Sequence, residues 1–319
     1  MGLGPASIKL YLELWNRGLL ANTKSVLEMG SQEIHLTKAH FEGLVHSAGL
    51  SDYDDKQFSE LANWPGAPRC PAKKFYQLLG IEEYSCFDLN EELGGIPHDL
   101  NEPLTDSTYY GKYDLVTDHG TNEHIFNISE TYRTMHRLCK IGGLLVIHQS
   151  LYGGNGYYNF DLSFFEGMAA ANGYQILFSS FTVTLNRKNL NAEELRELPR
   201  ELNGSLGRDQ FHIPLSNELL DVVDWSKDRA EIGICYVFQK KLDADFQYAY
   251  QGKYLTEIQG NHGYQLQFLP NPPARSYVPL ISWSPKRMQG GVLEATPFRT
   301  LIQHLIWRLG KRAKVRIGL

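Results

Sequence analysis

The stretch Ser25-Val26-Leu27-Glu28-Met29-Gly30-Ser31-Gln32-Glu33 (SVLEMGSQE) has the form of the turn that follows the first strand of a nucleotide-binding sheet. Val26-Leu27 is a short apolar run, and Gly30 stands where the chain must turn sharply. A dinucleotide site uses G-x-G-x-x-G, because three glycines let the backbone approach a pyrophosphate at a helix N-terminus. Here a single glycine is followed by Ser31, Gln32 and Glu33. A carboxylate in the first turn of a helix suits the helix dipole but repels a phosphate. NAD and FAD are therefore disfavoured.

Outward from this loop, apolar strands alternate with helical patterns. Ile8, Leu12, Trp15 and Leu19 share one helical face over 8–20, and a helix is expected over 32–49. Ser51 to Pro71 is polar and Pro-rich and reads as an insertion, followed by a helix from Pro71 to Leu79. Tyr84–Phe87, Tyr113–Thr117 and Leu144–Ile147 are strand candidates, with a helix over Ile125–Cys139 and a turn at Gly142-Gly143. A helix at Leu162–Asn172, strands at Tyr174–Thr184 and Ile232–Gln239, and a polar helix at Asn191–Leu202 complete the core pattern. Alternation of this kind means an α/β fold, a parallel sheet covered on both faces. The expected organisation is an N-terminal helix (1–24), a main domain (25–241) with an insertion at 51–71, and a C-terminal extension (242–319).

S-adenosylmethionine fits the loop better than a dinucleotide. It carries no phosphate, so one glycine suffices for its amino-acid arm; Glu28 or a loop carbonyl can accept from its ammonium, and loop N–H groups can serve its carboxylate. Asp88, at the end of the strand in YSCFDLN, is placed to accept both ribose hydroxyls, and Asp99 in HDLNEPL to accept the adenine amino group. Asp52 lies nearer the usual spacing of ~20 residues after the glycine, but no strand precedes it.

VLEMG, FDLN, HDLNEPL, YDLVTDHGTNEH and GGLLVIH, in that order, resemble class I S-adenosylmethionine-dependent methyltransferases over roughly Ser25 to Gln239. The run LYGGNGYYNFDLSFFEGMAAANGY (Leu151 to Gly173) is similar to a bacterial small-molecule subgroup. The resemblance implies a Rossmann-like, doubly wound, seven-stranded and mostly parallel sheet whose last strand is antiparallel. It also implies that Glu28, Gly30, Ser31, Gln32, Asp88, Leu89, Asp99, Leu100, Asp118 and His119 line the cofactor, with S-adenosylhomocysteine as the product. The glycine loop is poorer than the family's common form, and the distance from Gly30 to Asp88 is longer.

Methyl transfer to a hydroxyl needs alignment and a base. His148 and His119 end two strands at the carboxyl edge and are the candidate bases. His124, in Asn122-Glu123-His124, matches a Glu-His pair of the superfamily; where related ubiquinone-pathway O-methyltransferases have a metal-binding carboxylate three residues before the pair, this chain has Gly120. No metal is expected. Gly153–Asn159 (GGNGYYN) reads as a flexible loop over the acceptor, with His124, Tyr157, Tyr158 and Asn159 contacting a small polar molecule.

Composition supports a globular chain: 42% hydrophobic, 21% charged, net charge −5, a mild acidity that gives no reason to expect a nucleic-acid partner. Four scattered cysteines and no apolar leader point to a cytoplasmic location. Pro297 to Leu319 combines an apolar stripe (Leu301, Leu305, Leu309) with arginines and lysines. That pattern suits docking on its own domain or on a second copy, as in a homodimer, ahead of a membrane surface. Two alternatives to a methyltransferase stand: a non-catalytic S-adenosylmethionine-binding partner subunit, and, behind it, a nucleotide-dependent oxidoreductase.

Overall fold

The computed structural model describes residues 2–50, 53–63, 70–152, 154–186, 208–213 and 230–249. Strand β2 (Ser25–Met29) is buried at all five positions. It pairs in parallel with β4 (Glu83–Asp88) on one side and β6 (Tyr113–His119) on the other. β5 (Gly95–Pro97) extends the first side, and β7 (Cys139–Tyr152) the second. β10 (Ala230–Gln239) inserts antiparallel between β7 and β8 (Gln175–Asn186), and β9 (Arg208–Ile213) closes the edge against β8. The order is β5-β4-β2-β6-β7-β10-β8-β9.

This is a Rossmann-like, doubly wound α/β fold. Its first seven strands in that order form the mostly parallel sheet that the resemblance implies, with β10, the last strand among the described residues, antiparallel. β9 is an addition. The polar segment before it, expected as a helix over 191–202, lies outside the described residues, as do Asp52 and the C-terminal extension beyond residue 249.

The sheet separates two apolar layers. On one face Val26, Leu115 and Val146 pack with α1 (Pro5–Asn16), α2 (Lys38–Ser47) and α3 (Lys73–Leu78). On the other, Leu27, Met29, Val116 and Ile147 pack with α4 (Ile128–Leu138) and α5 (Leu162–Asn172). Period-two alternation along β2 and β6 thus sends Glu28, Thr117 and His119 to the α1 face and Asp118 to the α4 face. Strand ends held by glycine turns make this possible. Gly173, for example, closes α5 in the left-handed conformation at φ +62°.

Two helices differ from expectation. After Gly30 the chain does not enter a helix; Glu33–Ile34 form β3, which pairs in parallel with β1 (Gly2–Leu3), and α2 begins only at Lys38, capped by Thr37. The apolar spacing between 32 and 36 therefore serves a strand. α1 ends at Asn16, and it is buried on nearly all sides rather than along a stripe; Ser7, Lys9 and Tyr11 are inside, whereas Leu19 is exposed. After β10 the chain crosses α4, where His136 binds the Ala244 carbonyl (Nε2 to O, 2.7 Å) and the Tyr174 hydroxyl (2.6 Å). There it borders an apolar groove of about 370 Å³ that includes Tyr132, Phe164 and Phe246. No helix among the described residues is long and apolar enough to cross a membrane.

Gly30 has φ +76°, and a Cβ there would stand 2.5 Å from Thr121 Oγ1. Gly30→Ala is expected to cost about 1–3 kcal/mol from the backbone conformation alone. A urea midpoint equal to that of the wild type would show that the loop does not need this geometry.

Candidate active site

The order of the strands reverses between β2 and β6: from β2 the chain winds outward through β4 and β5, and then returns to β6 and β7. Ligands of open α/β sheets bind at such a point, beyond the carboxyl ends. Here two left-handed glycines, Gly30 and Gly120 (φ +76° and +74°), turn the chain out of β2 and β6. The loops that follow are tied together, since Gln32 Nε2 donates to Thr121 Oγ1 at 3.1 Å. Gln32 Oε1 is buried with no hydrogen-bond partner among the described residues.

Asp88 ends β4 beside this loop. Its Oδ2 accepts from the Ser31 amide and hydroxyl, both at 2.8 Å, and Oδ1 from the Leu89 amide at 2.7 Å. Burial pushes its pKa up, but these donors outweigh it and hold the carboxyl below its ordinary range. Leu89 is 73% exposed, a large apolar surface next to the carboxylate. Beyond β5, His98 packs on Phe87 and Leu100 is buried, while Asp99 is exposed in a turn that accepts from the Asn101 amide (2.9 Å). From Asp88 to Asp106 the sequence carries six carboxylates and no lysine or arginine.

Two expected cofactor ligands are engaged elsewhere. Glu28 is fully buried on the α1 face, with its two oxygens bonded by Tyr76 (2.8 Å) and Tyr84 (2.6 Å). Asp118 is fully buried on the opposite face; it accepts from the Thr121 and Asn122 amides at 3.1 Å each and from Gln149 Nε2. These amides lead into the short 3-10 turn Asn122–His124. Burial raises both carboxyls to a pKa of about 7, against the partial offset of their donors.

The histidines separate in the same way. His119 is fixed to α1 by both ring nitrogens: the Tyr11 hydroxyl is 2.7 Å from Nε2, and Ser7 Oγ is 3.3 Å from Nδ1. Burial holds its pKa well below the ordinary histidine value. His148 on β7 keeps one nitrogen open. Its Nε2 lies 2.6 Å from Thr182 Oγ1, and Nδ1 has no hydrogen-bond partner among the described residues. Burial brings it down to about 4. The two rings meet edge to face at 6.2 Å.

Both rings line a polar pocket of about 410 Å³, together with Glu123, His124, Thr182 and Gln210. Glu123 Oε2 accepts from the Ser150 amide (2.6 Å), and its carbonyl accepts from the Tyr157 and Tyr158 amides (2.7 and 3.2 Å). The glycine-rich loop is therefore anchored to the 3-10 turn. It presents Gly154 and Asn155 to the pocket, not the expected aromatics. Tyr158 donates instead to the Phe126 carbonyl (2.6 Å), Asn159 Oδ1 lies 3.3 Å from Ser150 Oγ, and Tyr157 pairs with Phe126 in the open. Thr182 and Gln210 were not singled out from the sequence, since no spacing signal links β8 or β9 to the end of β7; Glu123 was met only as the partner of His124 in the Glu-His pair. Among the described residues no group of three or more His, Cys, Asp or Glu could hold a metal.

No protein-family model matches the sequence, and no curated protein matches it significantly. Among solved structures, the chain is similar to a proposed methyltransferase from Bacillus halodurans C-125, at 12% identity over 72% of this chain and 99% of that one, with a TM-score of 0.38. It is also similar to the YcgJ protein of Bacillus subtilis (14% identity, 72% and 98% coverage, TM-score 0.33) and to the MccD protein (10%, 74% and 97%, 0.29). The fold assignment rests on the strand order, not on these likenesses.

A buried carboxyl with a raised pKa contributes its full stability below the ordinary carboxylate range and loses it as pH rises towards about 7. Glu28→Gln is therefore expected to flatten this fall, by about 2–3 kcal/mol between mildly acidic and mildly alkaline buffer. Urea unfolding with the same pH slope in variant and wild type would contradict the assignment.

Proposed function

We propose that this chain is an S-adenosylmethionine-dependent methyltransferase acting on a small polar acceptor, with a hydroxyl as the methylated group. The observation that carries the reading is the character of the crevice. Two left-handed glycines open it, and the segment that leaves it at Asp88 carries six carboxylates and no basic residue as far as Asp106, three of them beyond β5. Such a segment repels phosphates and suits a ligand with a net positive centre, a ribose and an adenine. The oxidoreductase alternative loses ground on the same account.

The residues present fit that ligand at its adenosine end. Asp88, ionised and already fixed by Ser31, is the acceptor for ribose hydroxyls; Asp99, exposed and bonded through Oδ1 to Asn101, takes the adenine amino group on Oδ2, and Leu89 and Leu100 supply apolar surface. The Gly30–Gln32 loop, with the unpaired Gln32 Oε1, is assigned to the amino-acid arm. Glu28 and Asp118 support the loops from behind instead of touching the ligand. When bound, S-adenosylmethionine supplies an activated methyl group on sulfonium sulfur.

The chain's own part is to hold the acceptor and remove its proton. His148 is the base: Nε2–H donates to Thr182 Oγ1, which leaves the Nδ1 lone pair for the acceptor hydroxyl. Glu123, Gln210 and Asn155 line the same pocket and are assigned to the acceptor's other polar groups.

Calorimetry tests the reading. S-adenosylmethionine and S-adenosylhomocysteine should bind and NADH should not; NADH binding alone would overturn it. Asp88→Ala should weaken cofactor binding by roughly 1.5–3 kcal/mol, the range for lost hydrogen bonds to a charged group. His148→Ala should lower kcat by ~10²–10⁴-fold and leave cofactor affinity unchanged. It should also abolish an acidic limb of the kcat profile centred on about 4, where burial places this histidine. Near wild-type kcat in this variant would remove His148 as the base, and activity abolished by EDTA and restored by magnesium or zinc would contradict the metal-free reading.

A further inference from the structure

Glu28 is not spent on a ligand, yet a line of hydroxyl groups joins it to the pocket. Its Oε1 is 2.8 Å from the Tyr76 hydroxyl, Tyr76 is 3.3 Å from the Tyr11 hydroxyl, and Tyr11 is 2.7 Å from His119 Nε2. Ser7 Oγ closes the far end at 3.3 Å from Nδ1. The side chains come from β2, α3, α1 and β6, and all are buried. These polar groups stand in the apolar α1 layer, where unpaired polar atoms are costly, and each finds its partner in the next along the line.

We propose that this line is a proton relay through which Glu28 takes up, by way of His119, the proton released in the pocket. The inference rests on the reading that the acceptor loses a proton on methylation. With Glu28 ionised, Tyr76 donates to it, Tyr11 donates to Tyr76, and His119 Nε2–H donates to Tyr11. His119 Nδ1 then accepts from Ser7. A proton reaching Nδ1 reverses each bond in turn: the Nε2 hydrogen passes to Tyr11, the Tyr11 hydrogen to Tyr76, and the Tyr76 hydrogen to Glu28. One proton has entered, one carboxylate has become a carboxylic acid, and the ring is neutral again with its hydrogen on Nδ1. His148 faces the acceptor and cannot keep a proton at neutral pH. The gap that proton crosses to His119 is the edge-to-face contact of the two rings, 6.2 Å between centroids.

The arrangement explains how a histidine that burial keeps uncharged can still conduct a proton: no stable imidazolium is needed. It also gives a use to the carboxyl's position at about 7, where uptake and release are balanced near neutral pH. The groups that face the line are Tyr84 and Cys86 from β4, Cys235 from β10 and His148 from β7. Burial raises the tyrosines and cysteines and lowers His148, so all stay neutral where Glu28 titrates.

The test is the tautomer of His119, read from imidazole nitrogen chemical shifts in the ligand-free full chain between about pH 5 and 9. The relay requires Nε2–H above about 7 and Nδ1–H below it. The change should vanish in Tyr76→Phe, which keeps the ring packed on Tyr11, and independently in Glu28→Gln. One tautomer throughout in the wild type, or an unaltered change in either variant, overturns the proposal. This readout needs no methyl transfer, so it stands or falls apart from the proposed function. With an acceptor in hand, Tyr76→Phe should lower kcat without raising KM and remove an inflection near 7; an inflection that persists would also overturn the relay.

Discussion

A carboxylate on a strand buried at every position must find its donors inside the protein. Glu28 on β2 is that group, and Tyr76 and Tyr84 answer it. An ionisable group left unpaired in such a place would cost several kcal/mol, so the two hydroxyls fix α3 and β4 to β2. Tyr11 carries the same line on to His119 and thereby seats α1 against β6. The N-terminal helix is held from inside, by polar contacts across an apolar layer. Its near-complete burial is the consequence.

That constraint sets what the crevice can do. With Glu28 and Asp118 turned inward on opposite faces of the sheet, the carboxylates left near the carboxyl edge include Glu123 in the pocket and those of the segment from Asp88 to Asp106. His119 is drawn towards α1 and loses both nitrogens to Tyr11 and Ser7, whereas His148, one strand further, keeps Nδ1 open beside Thr182. Two histidines that look equivalent at strand ends thus take different work. On the proposed reading, one contacts what enters the pocket, and the other connects the pocket to the interior.

The strands and their order around β2 were legible because short apolar runs between glycine turns allow little else. VLEM, YSCF, YDLVT and LLVI all form strands where expected. The direction of each side chain was not legible. Glu28 sits in the loop motif where a ligand contact is the natural reading, but alternation puts it on the α1 face, and only the arrival of Tyr76 and Tyr84 from 48 and 56 residues away decides its partner. The helix expected directly after Gly30 failed because Glu33 and Ile34 pair with Gly2 and Leu3, a contact between segments whose sequences show no sign of each other. Likewise Tyr157 and Tyr158 looked like pocket residues; anchoring of their amides on Glu123 turns Asn155 inward instead.

The central claim is that the crevice between β2 and β6 is the ligand seat and opens to the histidine pocket. Titration of the isotope-labelled full chain with S-adenosylhomocysteine measures this most directly, through the backbone amide shifts it perturbs. The account expects changes at Gly30, Ser31, Leu89 and Gly120, with smaller ones at His148. Perturbations confined to the apolar groove between α4 and α5, or none at saturating ligand, would contradict it.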